Sequence, residues 1–115
     1  MRIGIDIGGV ISRYPEVFSQ LVDTLQRGGA DVFVLTDIPD HAKAVEMVRA
    51  AGIREVPDDR VICCDYSQHG ERCKKVAVEQ HNITILIDDY PAYVASAASA
   101  GCIGLMVWPC AGHAV

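Results

Sequence analysis

Asp6, Thr36, Lys74 and the pair Asp88-Asp89 are the residues of this chain best suited to chemistry, because each stands where an apolar run gives way to a turn or a helix begins. Carboxylates brought together repel one another unless a cation or a proton intervenes. Aspartate and main-chain carbonyl oxygens are hard ligands that suit Mg²⁺, an ion that keeps some of its waters and is usually completed by phosphate oxygens. A hydroxyl at Thr36 and an ammonium at Lys74 supply complementary contacts for phosphate. Gly8-Gly9, two residues past Asp6, lets backbone approach a ligand closely. Taken singly, each residue has an ordinary structural use: Thr36 as a strand-end hydroxyl, Lys74 or Lys75 as a solvated helix face, Asp88-Asp89 as a helix cap. Taken together they form an inventory for phosphoryl transfer.

The elements that must position them follow from periodicity. Met1 to Ile11 (MRIGIDIGGVI) alternates Ile3, Ile5 and Ile7 with smaller or polar residues and breaks at the glycine pair, as a buried strand ending in a turn should. Pro15 opens a helix with Val17, Phe18, Leu21, Val22 and Leu25 on one face, and Gly28-Gly29 ends it. Asp31 to Leu35 reads as a second strand delivering Thr36-Asp37. Pro39 opens a second helix with Ala42, Val45, Val48 and Ala51 as its core stripe, stopped by Gly52. Pro57 to Arg60 is a polar loop, and Val61 to Cys63 a brief third strand. Glu71 to Gln80 is read as a helix with Lys74 and Lys75 in its first turn. Thr84 to Ile87 is a fourth strand, Pro91 to Ala100 a helix, and Cys102 to Val107 a fifth strand. Strand and helix alternate throughout, the pattern of a parallel sheet covered on both faces. The expected fold is therefore a three-layer α/β/α Rossmann-like domain with a five-stranded parallel sheet spanning residues 1–115. Right-handed crossovers bring Asp6, Thr36 and Asp88 to the same sheet edge.

Composition narrows the classes. At 115 residues the chain suffices for one core but not for a second, substrate-binding domain. A net charge of −5 with no Lys/Arg run argues against nucleic acid. Five cysteines without C-x-x-C pairing read as free thiols of a reducing compartment. With no secretory pattern at the start, the cytoplasm is the expected location. Tyr90 to Val115 lacks Asp, Glu, Lys and Arg, but its Ala/Ser content and Gly101, Gly104 and Pro109 favour a buried helix and strand over a membrane span. The same stretch, with Met106 and Trp108, is a candidate contact for a homo-oligomer. Tyr66 and Tyr93 are candidates for a site entrance.

These residues resemble the motifs of the haloacid dehalogenase-like (HAD) superfamily, in a capless, core-only form. Asp6-Ile7-Gly8-Gly9-Val10 resembles the first motif, whose leading Asp is the nucleophile. Thr36 closes a strand as the second motif's Ser/Thr does, and Ile87-Asp88-Asp89 resembles the fourth, acidic motif. Lys74, 14 residues ahead of Asp88, stands at the start of a helix where capless relatives carry the third motif's Lys. The resemblance covers essentially the whole chain in order. It implies a Mg²⁺-dependent phosphate-monoester hydrolase working through an aspartyl-phosphate on Asp6, with Lys74 beside it. Mg²⁺ would bind Asp6, the Gly8 carbonyl and Asp89, with Asp88 in support. Thr36, Asp37, Gly8, Gly9 and Lys74 would surround the phosphate of a small phosphorylated substrate or a phosphorylated macromolecule.

Two departures from the family pattern bear on activity. The second Asp of the first motif, the family's usual general acid and base, is Gly8 here. Such catalysis is typically worth ~10²–10⁴-fold, so a slow enzyme, a good leaving group or a surrogate acid such as Asp37 or His41 is implied. Only Gly8 to Tyr14 separate the first strand from the first helix, which leaves little room for the family's flap and implies an open site. Sugar kinases of the actin-like fold need two large domains. Receiver domains place the acidic pair before the phosphoacceptor, and dinucleotide-binding domains need G-x-G-x-x-G after the first strand. The alternative of a different class is a HAD-like fold that binds metal, phosphate or a partner protein without turnover.

Overall fold

A computed structural model describes residues 1–108. The apolar runs become β1 (Arg2–Ile5), β2 (Asp31–Thr36), β3 (Val61–Cys63), β4 (Ile85–Asp88) and β5 (Ile103–Met106). They form one parallel sheet in the order β3-β2-β1-β4-β5. The amphipathic segments become α1 (Pro15–Arg27), α2 (His41–Ala50), the single turn α3 (Tyr66–His69), α4 (Cys73–His81) and α5 (Pro91–Ala98). This is a Rossmann-like three-layer α/β/α fold, and among the described residues there is no cap domain.

Period-two alternation sorts the strand side chains into two cores. Ile3, Ile5, Val32, Val34 and Ile87 pack with Phe18 and Val22 of α1 and with Ala44 and Val48 of α2. On the opposite face, Phe33, Leu35 and Leu86 pack with Ala77 of α4 and with Tyr93 and Ala97 of α5. Fully burying each aliphatic side chain of this kind stabilises the fold by roughly 1.5–3 kcal/mol. Gly4 is small for a packing reason: a Cβ there would lie 3.2 Å from a Leu35 methyl.

Several boundaries differ from those read in the sequence. The second helix begins at His41 rather than Pro39, because the Asp40 side chain accepts the Lys43 amide and caps it. Its buried residues are Ala44 and Val48, so Ala42 lies on the solvent side of the expected stripe. The helix expected over 71–80 starts at Cys73, preceded by α3 and a tight turn at Gly70–Arg72. α3 was not foreseen, since its signal is a cap rather than a period: Asp65 accepts from the Gln68 amide and the Ser67 hydroxyl.

Among the described residues, the sheet is not covered on both faces at its β5 edge. α1 and α2 pack over the β3-β2-β1 half, and Ile103 and Leu105 stand 55% and 47% exposed, with Trp108 75% exposed. The expected burial of the charge-free stretch therefore holds only for one face of α5, at Tyr93 and Ala97, while β5 is half-buried on one face and exposed on the other. Gly104, on the covered face, meets Val94 of α5. Cys110 and the other residues past Trp108 lie outside the described residues. No helix among the described residues is long and apolar enough to cross a membrane.

Candidate active site

Strand order sets where a site forms. The chain steps from β1 to β2 and β3 on one side, then returns past β1 to build β4 and β5 on the other, so the crevice beyond β1 and β4 is the topological switch point where ligands bind in open α/β sheets. Ile5 pairs with Ile87, and the Asp6 amide donates to the Ile87 carbonyl at 3.0 Å. Continuing both strands by one residue sets Asp6 beside Asp88. One oxygen each from Asp6, Asp88 and Asp89 lies within 4.8 Å of the others.

Lys74 reaches this cluster because α4 runs back across the sheet, which puts its first turn at the C-terminal ends of the strands. Its Nζ donates to Asp6 Oδ1 at 3.0 Å and to Asp88 Oδ2 at 2.6 Å, and it lies 4.9 Å from the Tyr93 ring centroid. Lys74, Thr36 and Asp88 are fully buried, and Asp6 nearly so. The other Asp88 oxygen, Oδ1, accepts the Tyr90 amide, so Asp88 is occupied on both sides as a support. Asp6 Oδ2 and the half-buried carboxylate of Asp89 remain as acceptors that can hold a cation, together with the exposed Gly8 backbone.

Burial pushes the Asp6 pKa up to about 7, with Lys74 opposing that rise and Asp88 adding to it. Burial of Lys74 favours its neutral form, but Asp6 and Asp88 outweigh that cost and the net direction is upward, so the ammonium stays charged. Asp89 is also raised, first by burial and then by Asp88. When all three carboxylates are ionised, the single ammonium leaves an excess of negative charge at the cluster.

The turn Ile7–Ile11 carries Gly8 at φ −64°, ψ 126° and Gly9 at φ 71°, ψ −1°, the dihedrals of the two central residues of a type II turn. Gly9 is required twice over, by its positive φ and because a Cβ there would overlap the Asp89 carboxylate. At Gly8 the surroundings are open, with nothing within 4 Å of a Cβ.

No family model and no curated protein matches this sequence. Among solved structures, the chain is similar to an uncharacterized protein from Corynebacterium glutamicum ATCC 13032 Kitasato, with a TM-score of 0.69 and 18% identity over 94% of this chain and 85% of that one. The likeness is one of fold. It accounts for the sheet and its layers and assigns no chemistry to the residues at the switch point.

Asp6, Gly8 and Asp89 border a cavity of about 350 Å³. Its walls are Asp37, Tyr66, Tyr90 and Tyr93. Asp37 and Tyr66 also border a second hollow of about 370 Å³, shared with Pro39, Asp65 and Ser67. Thr36 and Lys74 are brought to the site but lie beneath its surface, Thr36 with its hydroxyl accepting the Ile38 amide at 3.2 Å. His41 is not among the residues bordering either hollow; its Nε2 lies 2.9 Å from the Asp58 carbonyl oxygen. Tyr90 was missed in the sequence, although its place between the acidic pair and Pro91 puts it on the loop leaving β4.

Two hydrogen bonds tie the tyrosines down. Tyr93 Oη donates to Asp37 Oδ2 at 2.8 Å, and Tyr90 Oη donates to Glu71 Oε1 at 3.1 Å. Burial raises the Tyr93 pKa first, with Asp37 adding to it, and the Glu71 contact raises that of Tyr90. Cys64, behind the site, is pushed up to about 12 by burial and is an inert thiol at neutral pH.

Proposed function

We propose that the protein is a capless HAD-like phosphatase that hydrolyses phosphate monoesters through Asp6. The observation that carries this reading is the position of Asp6: its Oδ1 accepts from the buried Lys74 ammonium, and the residue borders a cavity at the switch point. A nucleophile fixed by one oxygen has little orientational freedom to lose on the way to the transition state.

The donor set suits Mg²⁺: the Asp6 carboxylate, Asp89 and the Gly8 carbonyl offer hard oxygens, and Asp88 steadies the group through Lys74 and the Tyr90 amide. When bound, the ion would supply charge neutralisation between carboxylate and phosphate and keep Asp6 ionised. Asp6 Oδ2 attacks phosphorus, the bond from phosphorus to the ester oxygen breaks, and the ester oxygen departs with its electron pair. Water then attacks the phosphorus of the aspartyl-phosphate, releases inorganic phosphate and a proton, and restores Asp6. Lys74 holds the charge and orientation of Asp6 from below throughout, and Asp88 holds Lys74. The Ile7–Ile11 turn keeps backbone close to the phosphate because neither glycine adds bulk.

A second reading is a site that binds metal and phosphate without turnover, favoured by Gly8 in place of an acid and by the full burial of Thr36 and Lys74. Steady-state hydrolysis with Mg²⁺ and with chelator, for wild type and Asp6→Asn, separates the two. Turnover requiring both Mg²⁺ and Asp6 supports the phosphatase; Mg²⁺ binding with equally inert proteins supports the binding module.

A further inference from the structure

Resting on the phosphatase reading, we infer that the substrate is a phosphate monoester of a phenol, an aryl phosphate whose single ring bears no further charge, recognised by Tyr66, Tyr90 and Tyr93.

The first ground is the treatment of the leaving group. An alkyl alcohol, with a pKa of about 16 like water's, must be protonated as it departs, and a positioned acid for that step is typically worth ~10²–10⁴-fold. The space beside Gly8 is open, with nothing within 4 Å of where its Cβ would stand, so no side chain occupies the place of the missing acid. Two of the three phenolic protons at the cavity are already committed, Tyr93's to Asp37 and Tyr90's to Glu71, and the third belongs to the exposed Tyr66. A phenol, with a pKa of about 10, departs as phenolate without that help.

Aromatic surface is the second, independent ground. Tyr90 and Tyr93 meet edge to face with centroids 4.7 Å apart and planes at 84°. Tyr66 and Tyr90 remain 51% and 42% exposed on the same cavity that Asp6 borders. This exposed aromatic surface is available to a ligand, and a planar aryl group packs on it edge to face or offset-stacked where an alkyl chain gains no such contact.

Charge and size complete the selection. The described residues bordering the two hollows include Asp37 and Asp65 and neither Lys nor Arg. A second phosphate would be repelled there, which excludes nucleoside di- and triphosphates and bisphosphates. About 350 Å³ is at the lower end of small-ligand sites and holds one ring with its phosphate.

The test is kcat/KM, with Mg²⁺, for ring-substituted phenyl phosphates, methyl and ethyl phosphate, a phosphotyrosyl peptide of neutral flanks, and acetyl phosphate, a good leaving group without a ring. Aryl phosphates should exceed alkyl phosphates by ~10²-fold or more, with rates falling steeply as the phenol pKa rises. The ratio of phenyl phosphate to acetyl phosphate activity should fall about 3–10-fold in Tyr66→Leu and in Tyr90→Leu. The peptide's rate relative to phenyl phosphate tells a free aryl phosphate from a phosphotyrosyl residue as the source of the ring. Alkyl phosphates turned over within tenfold of phenyl phosphate, or an unchanged ratio in both variants, would overturn the inference while leaving the phosphatase intact. If nothing, acetyl phosphate included, is hydrolysed, the phosphatase reading fails. Equilibrium binding of phenyl against methyl phosphate then decides the aryl preference: tighter phenyl binding lost in Tyr66→Leu upholds it, and equal binding sinks it.

Discussion

The Lys74 ammonium, itself fully buried, lies 3.0 Å from Asp6 Oδ1 and joins residues 68 positions apart. With the 2.6 Å contact to Asp88 it makes a buried ion triple on which both the fold and the chemistry depend.

Lys74→Met leaves two buried carboxylates without their counter-charge. Breaking a buried pair by removing one partner costs about 3–5 kcal/mol, so the urea midpoint should drop accordingly. Adding Asp88→Asn to that variant should recover part of the loss. A loss under about 1 kcal/mol would mean that Lys74 is not the counter-ion it is taken to be.

Asp6 gives the metal-free protein a characteristic pH dependence. Between the ordinary carboxylate value and about 7, folded protein keeps a proton on Asp6 that the unfolded chain has released, so stability falls as pH rises through that window. In chelator, wild type should therefore lose ground to Asp6→Asn between pH 5 and pH 8 by on the order of 2–4 kcal/mol. Parallel stability curves for the two proteins would show that burial does not hold that proton.

The adjacent glycines should respond in opposite ways. Gly8→Asp enters open space at ordinary dihedrals, so it should cost little stability, raise kcat for alkyl phosphates by up to ~10²-fold and flatten the dependence on leaving group. Gly9→Ala meets Asp89 at a positive φ and should weaken Mg²⁺ binding, read by titration calorimetry, as well as stability. Equal outcomes at both positions would contradict the geometry of the turn.

Strand β5 offers the same contrast in stability alone. Gly104→Ala would put a Cβ 2.5 Å from a Val94 methyl and should cost about 1–3 kcal/mol. Leu105→Thr on the uncovered face should stay within about 0.5 kcal/mol. A large loss at Leu105 would mean that something covers that face.

Most of the fold was legible because apolar alternation in DVFVL and ILI, bounded by Gly, Pro and Asp, leaves few other places for those side chains. Asp6 beside Asp88 was legible too, as a consequence of strand ends sharing one edge. What escaped were features set by contacts between distant segments. α3 depends on a local cap at Asp65, and the exposed face of Ile103 and Leu105 depends on which half of the sheet α1 and α2 cover. The depth of Lys74, beneath the cavity instead of in its wall, goes with Tyr93 lying over the ammonium, a contact between α4 and α5 that no local pattern announces.

Trapping the phosphorylated protein is the most direct test of Asp6 as nucleophile. Wild type mixed with Mg²⁺ and phenyl phosphate is acid-quenched during turnover, digested and mapped by mass spectrometry, with Asp6→Asn in parallel. A hydroxylamine-labile phosphoryl group on the peptide containing Asp6, absent from the variant, is the expected result. Turnover with the label on another residue, or turnover that persists in Asp6→Asn, would contradict it.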